Sequence, residues 1–396
     1  MRPRETGDWI DQYLRVTASV PSPEIFRRWS AISAISAALQ RRAYLVVRGE
    51  RLFCNLYVLL VGPPATGKTR AIRPSYELVR KHSTMRLLPA KTTGSKVIAS
   101  VVSAFQTYTD TSGLATMCAT SGFFDEIVNF ISPRDYDFMA QLTDWYDSPK
   151  QWTYDTRARG EEKAENIYLS FIGGTTPRTL ANMLGSQAFG MGFTSRLNLI
   201  FSEDTIETDP FADVGEVNLE PLNSEMERFT SFCGEFTISE AAKDMVRQWV
   251  LSGMHPLPAD SRFAEYNPRR WLHWLKLAMI HTIAAKATEI DTKHILKAKE
   301  TLLEAEFVMP LALEYLGNNP MAEAVKNLHM WALTDYITNK RAPISEARIL
   351  RKLMSDVPQQ YHNVTLDHMV NIGMLKVLDG QPPNRKFIPQ QVERTG

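Results

Sequence analysis

The chain has 396 residues, of which 44% are hydrophobic and 22% are charged, a composition typical of a folded, water-soluble protein. Its formal net charge of +1 excludes a uniformly basic surface, so any nucleic-acid-binding surface must be a local patch. The widely spaced cysteines (Cys54, Cys118 and Cys233) predict neither disulfides nor a zinc site. No apolar run resembles a signal peptide or reaches the ~20 residues of a membrane helix, so we expect a cytoplasmic protein.

Residues 1–43 are predicted to be helical, because segments 9–15 and 24–40 carry apolar residues at helical spacing. Four arginines of this region could contact phosphate, but solvated helix faces are the favoured interpretation. They are Arg27, Arg28, Arg41 and Arg42. Residues 43–53 have the pattern of two short strands joined by a turn.

A continuous apolar run over residues 56–61 predicts a buried parallel strand. The run ends in Gly-Pro-Pro-Ala-Thr-Gly-Lys-Thr, which fits the phosphate-binding pattern Gly-x4-Gly-Lys-Thr. Its glycines let backbone N–H groups point at phosphates, and a helix N-terminus near Lys68 adds partial positive charge. Lys68 would meet the terminal phosphates and Thr69 would bind Mg²⁺. The predicted nucleotide contacts are Gly62, Pro63, Pro64, Ala65, Thr66, Gly67, Lys68, Thr69 and Arg70.

Residues 122–126, Gly-Phe-Phe-Asp-Glu, predict a second strand that ends in two carboxylates. After a phosphate-binding loop, such a pair is typical of the other half of a nucleotide-hydrolysing site. Asp125 would hold the hydration shell of Mg²⁺, and Glu126 would polarise the attacking water. The alternative is an ordinary Asp-Glu pair on a surface helix.

Residues 151–170 predict a β-hairpin that runs directly into another core strand. Its polar tip carries the predicted DNA contacts Arg157, Arg159 and Lys163, although a solvated tip is the other open interpretation. Trp152 and Tyr154 lie near the tip and could stack on bases. Their alternating spacing favours packing within the strand.

The strand after the hairpin ends in hydroxyl groups, with Thr176 at the level expected for the γ-phosphate. Further on, a glycine-rich loop precedes Arg196 and an apolar strand. An arginine fixed there can point at the γ-phosphate of a neighbouring subunit and stabilise transition-state charge. The alternative is a salt bridge within the chain. Residues 203–225 are acidic without a clear period and predict a loop or linker.

The remaining residues are mostly helical in pattern. Helices are predicted at 239–251, 268–287 and 291–316, the second opening with Arg269 and Arg270, and this block follows the nucleotide core as a lid would. Residues 320–396 have three helical segments and then two strands, the order of a winged helix, which binds DNA or protein. This end is locally basic through Lys340, Arg341, Arg348, Arg351, Lys352, Arg385 and Lys386.

In this order, the phosphate loop, Asp-Glu strand, hairpin and Ser-Arg loop resemble those of an AAA+ ATPase. The chain is similar to replicative DNA helicases of phages and mobile elements, in the branch shared by superfamily 3 viral helicases and minichromosome-maintenance helicases. The predicted fold class is α/β, an AAA+ P-loop NTPase core of parallel sheet flanked by helices. The predicted domains are an N-terminal helical segment (1–43), the core (44–225), a helical lid (226–318) and a winged helix (319–396).

The resemblance implies further roles. Thr176 stands at the sensor-1 position, Arg196 matches the arginine finger, and Arg269 matches the sensor-2 arginine, with Arg270 as a near competitor. The hairpin corresponds to the pre-sensor-1 hairpin, whose tip grips single-stranded DNA. The predicted catalytic residues are therefore Lys68, Glu126, Thr176, Arg196 and Arg269.

The family implies a homohexameric ring that uses ATP and Mg²⁺ to move along single-stranded or forked DNA, in the 3′-to-5′ direction, with a partner primase supplying primers. An arginine that acts on a neighbour also requires a head-to-tail interface, which closes as a ring. Two alternatives remain. One is an ATP-dependent helicase loader or replication initiator that binds DNA without unwinding it. The other is an AAA+ machine that acts on protein, such as a remodeller or defence ATPase.

Overall fold

In a computed structural model, the described residues are 8–110, 113–156, 160–185, 187–207, 209, 217–258, 260–313, 320–354, 362–371 and 374–390. These residues contain thirteen α-helices and both parallel and antiparallel strand pairs, so the fold is mixed α/β. The chain divides into two units, Met1–Tyr315 and Leu316–Gly396. None of the described helices combines the length and apolar character needed to cross a membrane.

The first unit contains ten of the helices and twelve strands. The helices are α1 Trp9–Val16, α2 Glu24–Leu39, α3 Lys68–Arg80, α4 Gly94–Ser103, α5 Tyr136–Tyr146, α6 Pro177–Leu184, α7 Glu220–Ser231, α8 Glu240–Leu251, α9 Arg270–Ala284 and α10 Thr292–Ala312. The strands are β1 Ala43–Val47, β2 Glu50–Phe53, β3 Tyr57–Val61, β4 Phe105–Asp110, β5 Gly113–Phe124, β6 Gln151–Thr156, β7 Gly160–Glu165, β8 Ile167–Thr175, β9 Leu197–Phe201, β10 Gly234–Glu235, β11 Thr237–Ile238 and β12 Glu289–Ile290.

A five-stranded sheet in the order β4-β5-β8-β3-β9 forms the centre of the first unit. The strands β5, β8, β3 and β9 are parallel, and β4 runs antiparallel to β5 at the edge. Every residue of β3, β8 and β9 is buried. Such uninterrupted apolar strands require cover on both faces of a sheet, which explains the continuous apolar runs in the sequence.

The two faces of this sheet are covered by different helices, because successive strand residues point in opposite directions. On one face Tyr57 stacks on Phe171 and packs against Tyr146 of α5, with ring centroids 4.3 and 5.0 Å away. On the other face Val58 and Ile172 join the core that contains α2 and α9. The predicted segments 1–43, 44–225 and 226–318 therefore all contribute residues to one hydrophobic core, and the first unit contains them up to Tyr315.

The predicted helices and strands before the phosphate loop form as expected, and the four arginines there differ in burial. Arg41 is buried and donates to the carbonyls of Ser148 and Ile167. Arg42 is buried and donates to Ala38. Arg27 donates to backbone carbonyls of the α1 region, and Arg28 pairs with Glu24 and Glu304. The solvated interpretation was therefore wrong for the buried Arg41 and Arg42, whereas Arg28 is partly exposed in surface ion pairs.

Two predicted boundaries were wrong. Turn and N-cap residues at 92–95 predict a helix that runs through Phe105, but α4 ends at Ser103 and Phe105 begins the edge strand β4. The loop expected over 203–225 gives way to helix α7 at Glu220. In α7 the polar residues are exposed or half-buried, and in β4 polar residues occur on both the exposed and the half-buried sides, so the apolar pattern in the sequence is weak.

The second unit has its own small core. Its elements are α11 Pro320–Thr338, β13 Ile344–Ser345, α12 Glu346–Leu353, α13 His362–Asn371, β14 Leu375–Asp379 and β15 Lys386–Pro389. The strands form an antiparallel sheet in the order β13-β15-β14, packed on the helices through residues such as Leu328, Ile349 and Phe387. Arg385 pairs with the buried Glu346 at 2.8 Å and lowers the pKa of that carboxyl.

Candidate functional site

The phosphate-type loop leaves the sheet at the carboxyl end of β3. Gly62 N–H donates to Thr175 of β8 at 3.2 Å, and Ser202, just after β9, donates to Val61 at 3.1 Å. A Cβ at position 62 would lie 2.3 Å from the Ser202 carbonyl oxygen. Glycine is therefore required at position 62 by a close backbone approach.

Gly67 is required for two reasons. Its φ of 77° is the left-handed conformation that glycine adopts without strain, and it precedes the first residue of α3. A Cβ there would lie 2.3 Å from the carbonyl oxygen of Pro21, in the segment between α1 and α2. The loop is thus fixed on one side by the N-terminal segment and on the other by the sheet.

Lys68 is buried at the start of α3, and its ammonium group folds back onto the loop. It donates to the carbonyls of Gly62 and Pro63 at 2.8 and 2.7 Å and to the Thr66 hydroxyl at 3.0 Å. Burial lowers the pKa of Lys68, and the nearby Glu126 carboxylate opposes that shift. The positive charge therefore lies at the loop itself, next to the exposed side chains of Thr69 and Arg70.

The Asp-Glu pair also lies at the carboxyl ends of the parallel strands. Asp125 directly follows β5, whose last residue pairs with Gly173 of β8. A Cβ on Gly174 would lie 2.6 Å from the Asp125 carbonyl oxygen and 3.3 Å from Cβ of Lys68. Gly174 at the end of β8 therefore lies between Lys68 and Asp125, and a side chain there would approach both residues. Both Asp125 and Glu126 are exposed at this edge.

Thr176 also lies at this edge, but its hydroxyl is engaged locally. It accepts from the Thr179 N–H at 3.2 Å and hydrogen-bonds the Thr179 hydroxyl at 2.8 Å, which makes it the N-cap of α6. N-capping explains threonine at this position without a ligand.

The carboxyl ends of the parallel strands carry oxygen ligands of the kind that Mg²⁺ takes. Mg²⁺ takes few protein ligands and otherwise binds water and phosphate oxygens. In the part of the chain that the structure describes, no three His, Cys, Asp or Glu side chains are grouped to hold a metal ion by themselves. The exposed Thr69 hydroxyl and Asp125 carboxylate fit the sparse set that Mg²⁺ would share with phosphate.

Arg196 lies at the amino-terminal ends of the parallel strands, opposite the phosphate loop. It precedes β9, whose first residue pairs with Tyr57 at the start of β3, whereas the loop follows Val61 at the end of β3. Five residues of strand separate the two levels by about 16 Å. Arg196 is buried and pairs with Asp147 at 2.7 Å, as in the intrachain alternative. Its guanidinium is therefore neither exposed nor close to its own phosphate loop.

The two neighbouring arginines at the start of α9 differ sharply. Arg270 is fully buried, donates from Nε to Glu306 at 2.7 Å and also bonds the carbonyls of Met254 and Pro256. Arg269 is 30% exposed, and its Nη1 lies 3.5 Å from Asp147. Arg270 is thus a core residue, and Arg269 lies beside Arg196 at the edge remote from the loop.

A buried polar network supports this arginine pair. His273 of α9 bonds the Ser195 carbonyl at 3.0 Å, and burial lowers its pKa to about 3. Lys276 donates to Asn55 at 2.7 Å and lies 3.7 Å from the ring centroid of Tyr146, and burial lowers its pKa to about 7. Asn55 in turn donates to the Tyr146 carbonyl at 2.8 Å. The network fixes the backbone on both sides of the Arg196–Asp147 pair.

A hairpin forms within the predicted region from β6 and β7, but Lys163 lies on the β7 arm opposite Thr153 and not at the tip. Arg157 and Arg159 lie outside the described residues. Lys163 is exposed and pairs with Glu161 at 2.9 Å. The described arms also carry the carboxylates of Asp155, Glu162 and Glu165, so they are acidic.

The aromatic residues of the hairpin pack mainly on each other. The ring of Trp152 meets Trp145 of α5 edge-on, with centroids 5.3 Å apart. Tyr154 lies parallel to Trp152 at 5.7 Å and is 39% exposed. This arrangement agrees with packing within the strand.

Sequence reasoning missed the residues that hold the site through long-range contacts. Pro21 and Ser202 approach the loop glycines through backbone atoms, and Asp147 contacts both Arg196 and Arg269. A carbonyl has no residue signature, and Asp147 follows a helix with nothing to distinguish it from a solvated carboxylate. Comparison of the sequence with protein-family models and with curated proteins returns no match, so no family assignment follows from similarity.

Proposed function

We propose that this protein is an AAA+-type ATPase that works as a ring-forming replicative DNA helicase of a phage or mobile element. The observation that carries the proposal is the convergence of Lys68, Asp125 and Glu126 at one edge of a parallel sheet. A phosphate-binding loop beside two carboxylates is the arrangement that nucleotide hydrolysis requires.

Each residue at this edge has a chemical role in the proposed reaction. The loop N–H groups and Lys68 bind the β- and γ-phosphates of ATP, and Thr69 and Asp125 would hold Mg²⁺, which neutralises phosphate charge. Glu126 orients the attacking water and accepts its proton. Thr176, at the end of the neighbouring strand, keeps the role of a polar positioning residue only if its capping bond to α6 opens.

The opposite edge supports assembly. Arg196 and Arg269 lie too far from their own loop to reach its phosphates, so a contribution to hydrolysis requires the phosphates of a second copy. Such an interface joins unlike surfaces of two copies and closes as a ring, for which we propose a homohexamer. The arginines would stabilise charge on the γ-phosphate in the transition state.

We propose the winged-helix assignment for the second unit. Its order of helix, strand, two helices and two strands supports it. Arg348 and Arg385 are paired with carboxylates, whereas exposed cations remain at Lys340, Arg341, Arg351 and Lys386. These four residues are the proposed electrostatic contacts with DNA or an acidic partner such as a primase.

A loader or initiator that binds DNA without unwinding it is the second candidate. The acidic arms of the β6–β7 hairpin favour it, since carboxylates repel the phosphate backbone that a translocating hairpin must grip. This candidate keeps the ATP site and changes only the consequence of ATP turnover.

The deciding experiment is strand displacement from a forked DNA duplex with ATP and Mg²⁺, with the Lys68→Ala variant as control. Unwinding that disappears in the variant supports the helicase. ATP-dependent DNA binding without unwinding supports the loader. ATP turnover that survives in Lys68→Ala would contradict the assignment of the phosphate loop, and with it both candidate functions.

A further inference from the structure

The carboxylate of Asp147 contacts both Arg196 and Arg269, which lie at the end of the sheet remote from the phosphate loop. Its Oδ2 accepts from Arg196 Nη2 at 2.7 Å, and its Oδ1 lies 3.5 Å from Arg269 Nη1. The residue follows the last turn of α5, where its own N–H donates to Asp144 and Trp145. One carboxylate therefore holds two cations that come from separate parts of the chain.

The two sides of this ion pair differ in burial. The Arg196 side chain is 7% exposed, so its charge needs an anionic partner. The Asp147 side chain is 56% exposed and lines an open cavity of about 740 Å³, so solvent reaches it. Because solvent reaches Asp147, another anion can take its place, while the buried Arg196 charge keeps an anionic partner throughout.

Arg196 also has bonding capacity that its present contacts do not use. Its Nη1 donates to the Gly192 carbonyl at 2.8 Å, but its Nε is buried and meets no acceptor among the described residues. The Nε and Nη2 N–H groups of a guanidinium form one face, which can bind a phosphate through two parallel hydrogen bonds. The resting contact with Asp147 leaves part of that face unsatisfied.

We propose that Asp147 is a stand-in anion, which holds Arg196 and Arg269 together until the terminal phosphate bound by a second copy replaces it. The inference rests on the proposed function. The exchange breaks and forms only ion pairs, and Asp147 returns to solvent. The bonds of His273 to Ser195 and of Asn55 to Tyr146 keep the backbone fixed, so the change is confined to side chains.

The test is ATP turnover measured against protein concentration for the full chain, for variants of Asp147, Asp144 and Lys68, and for Arg196→Ala. Asp147→Asn keeps the shape of the side chain and removes its charge, and Asp147→Glu keeps the charge. Asp144→Asn is the matched control, because Asp144 is an exposed carboxylate three residues earlier on α5. Lys68→Ala reports loop-dependent turnover. Melting temperatures verify that each variant is folded.

We expect Asp147→Asn to reach half-maximal turnover at about fivefold lower protein concentration, with maximal turnover at least that of the wild type. Asp147→Glu and Asp144→Asn should behave as wild type.

Two results would overturn the inference while sparing the proposed function. If folded Asp147→Asn loses turnover as Arg196→Ala does, the carboxylate orients the arginines and does not give way. If it matches the wild type at every concentration, Asp147 has no part in the reaction. Turnover in Lys68→Ala equal to wild type would instead overturn the proposed function itself, and the inference with it.

Discussion

At the scale of single residues, the two loop glycines have different physical causes. Gly62 is required by a carbonyl that approaches from the end of β9. Gly67 is required by its left-handed φ and by the carbonyl of Pro21. The sequence pattern explained both glycines by phosphate binding. The two carbonyl contacts are a further requirement, which no local sequence pattern records.

The contact of Gly67 with Pro21 can be measured by comparison with another left-handed glycine. Gly49 has φ +83° and open space around the position of a Cβ, so Gly49→Ala should cost about 1–2 kcal/mol of unfolding free energy. Gly67→Ala should cost about 1–3 kcal/mol more, because the new methyl group meets Pro21. Urea denaturation of both variants gives the difference. Equal losses would mean that the N-terminal segment moves away freely.

The adjacent arginines at the start of α9 should respond oppositely to substitution. Arg270→Met leaves the buried Glu306 without its partner and should lower the unfolding free energy by about 3–5 kcal/mol. Arg269→Met removes a partly exposed cation and should leave stability nearly unchanged while it lowers ATP turnover. Denaturation and turnover of the two variants separate the roles. A stable Arg270→Met protein without ATP turnover would instead assign the role in turnover to Arg270.

At the scale of elements, the predictions succeeded where burial made the sequence uniform. The strands β3, β8 and β9 are buried throughout and were predicted as apolar runs. Edge strand β4 was missed, because residues 105–110 alternate between exposed and half-buried positions and include Gln, Thr and Asp. The helices α2, α9 and α10 were predicted from their periodicity, whereas the ion pair of Asp147 joins elements that no local pattern relates.

Helix α9 should give the protein a pH dependence through His273. This side chain faces Tyr146, Tyr266 and the cations Lys276, Arg269 and Arg196, and burial first and these cations second lower its pKa to about 3. Between pH 3 and the ordinary value of 6.5, His273 binds a proton in the unfolded chain and none in the folded chain. Stability must therefore fall as the pH falls through this window.

The expected slope is about 1.4 kcal/mol of unfolding free energy per pH unit for one proton. His273→Gln keeps an amide that can bond to Ser195 and cannot gain that proton. Denaturation between pH 4 and 6.5 should show a shallower loss for the variant by that amount. Parallel curves would show that His273 is protonated in the folded protein.

At the scale of the whole molecule, one sheet separates two surfaces that hydrolysis would need together. The loop and carboxylates lie at the carboxyl ends of the parallel strands, and Arg196 and Arg269 lie at the other ends. Sequence order could predict the residue types of both surfaces, but only strand register shows that they are about 16 Å apart within one chain.

Mixing variants tests this separation. Lys68→Ala keeps the arginines, and Arg196→Ala keeps the loop, so each alone should be inactive. In an equal mixture about one interface in four joins an intact loop to an intact arginine, and turnover should partly return. The mixture is compared with each variant at the same total concentration. An inactive mixture of folded variants would contradict action between copies.

Helix α2 has a consequence for how far this chain can be shortened. Most of its 16 residues are buried, and its Ala and Ser side chains allow close packing, with Ser36 bonded to the Cys54 carbonyl and to Ser170. A chain that began at Ala43 would lack this helix and leave an apolar trough about 24 Å long over the central sheet. Exposed apolar surface of that extent drives aggregation. Helix α2 therefore keeps this apolar surface away from water, and a truncated form that begins at Ala43 should precipitate before ATP turnover can be assayed.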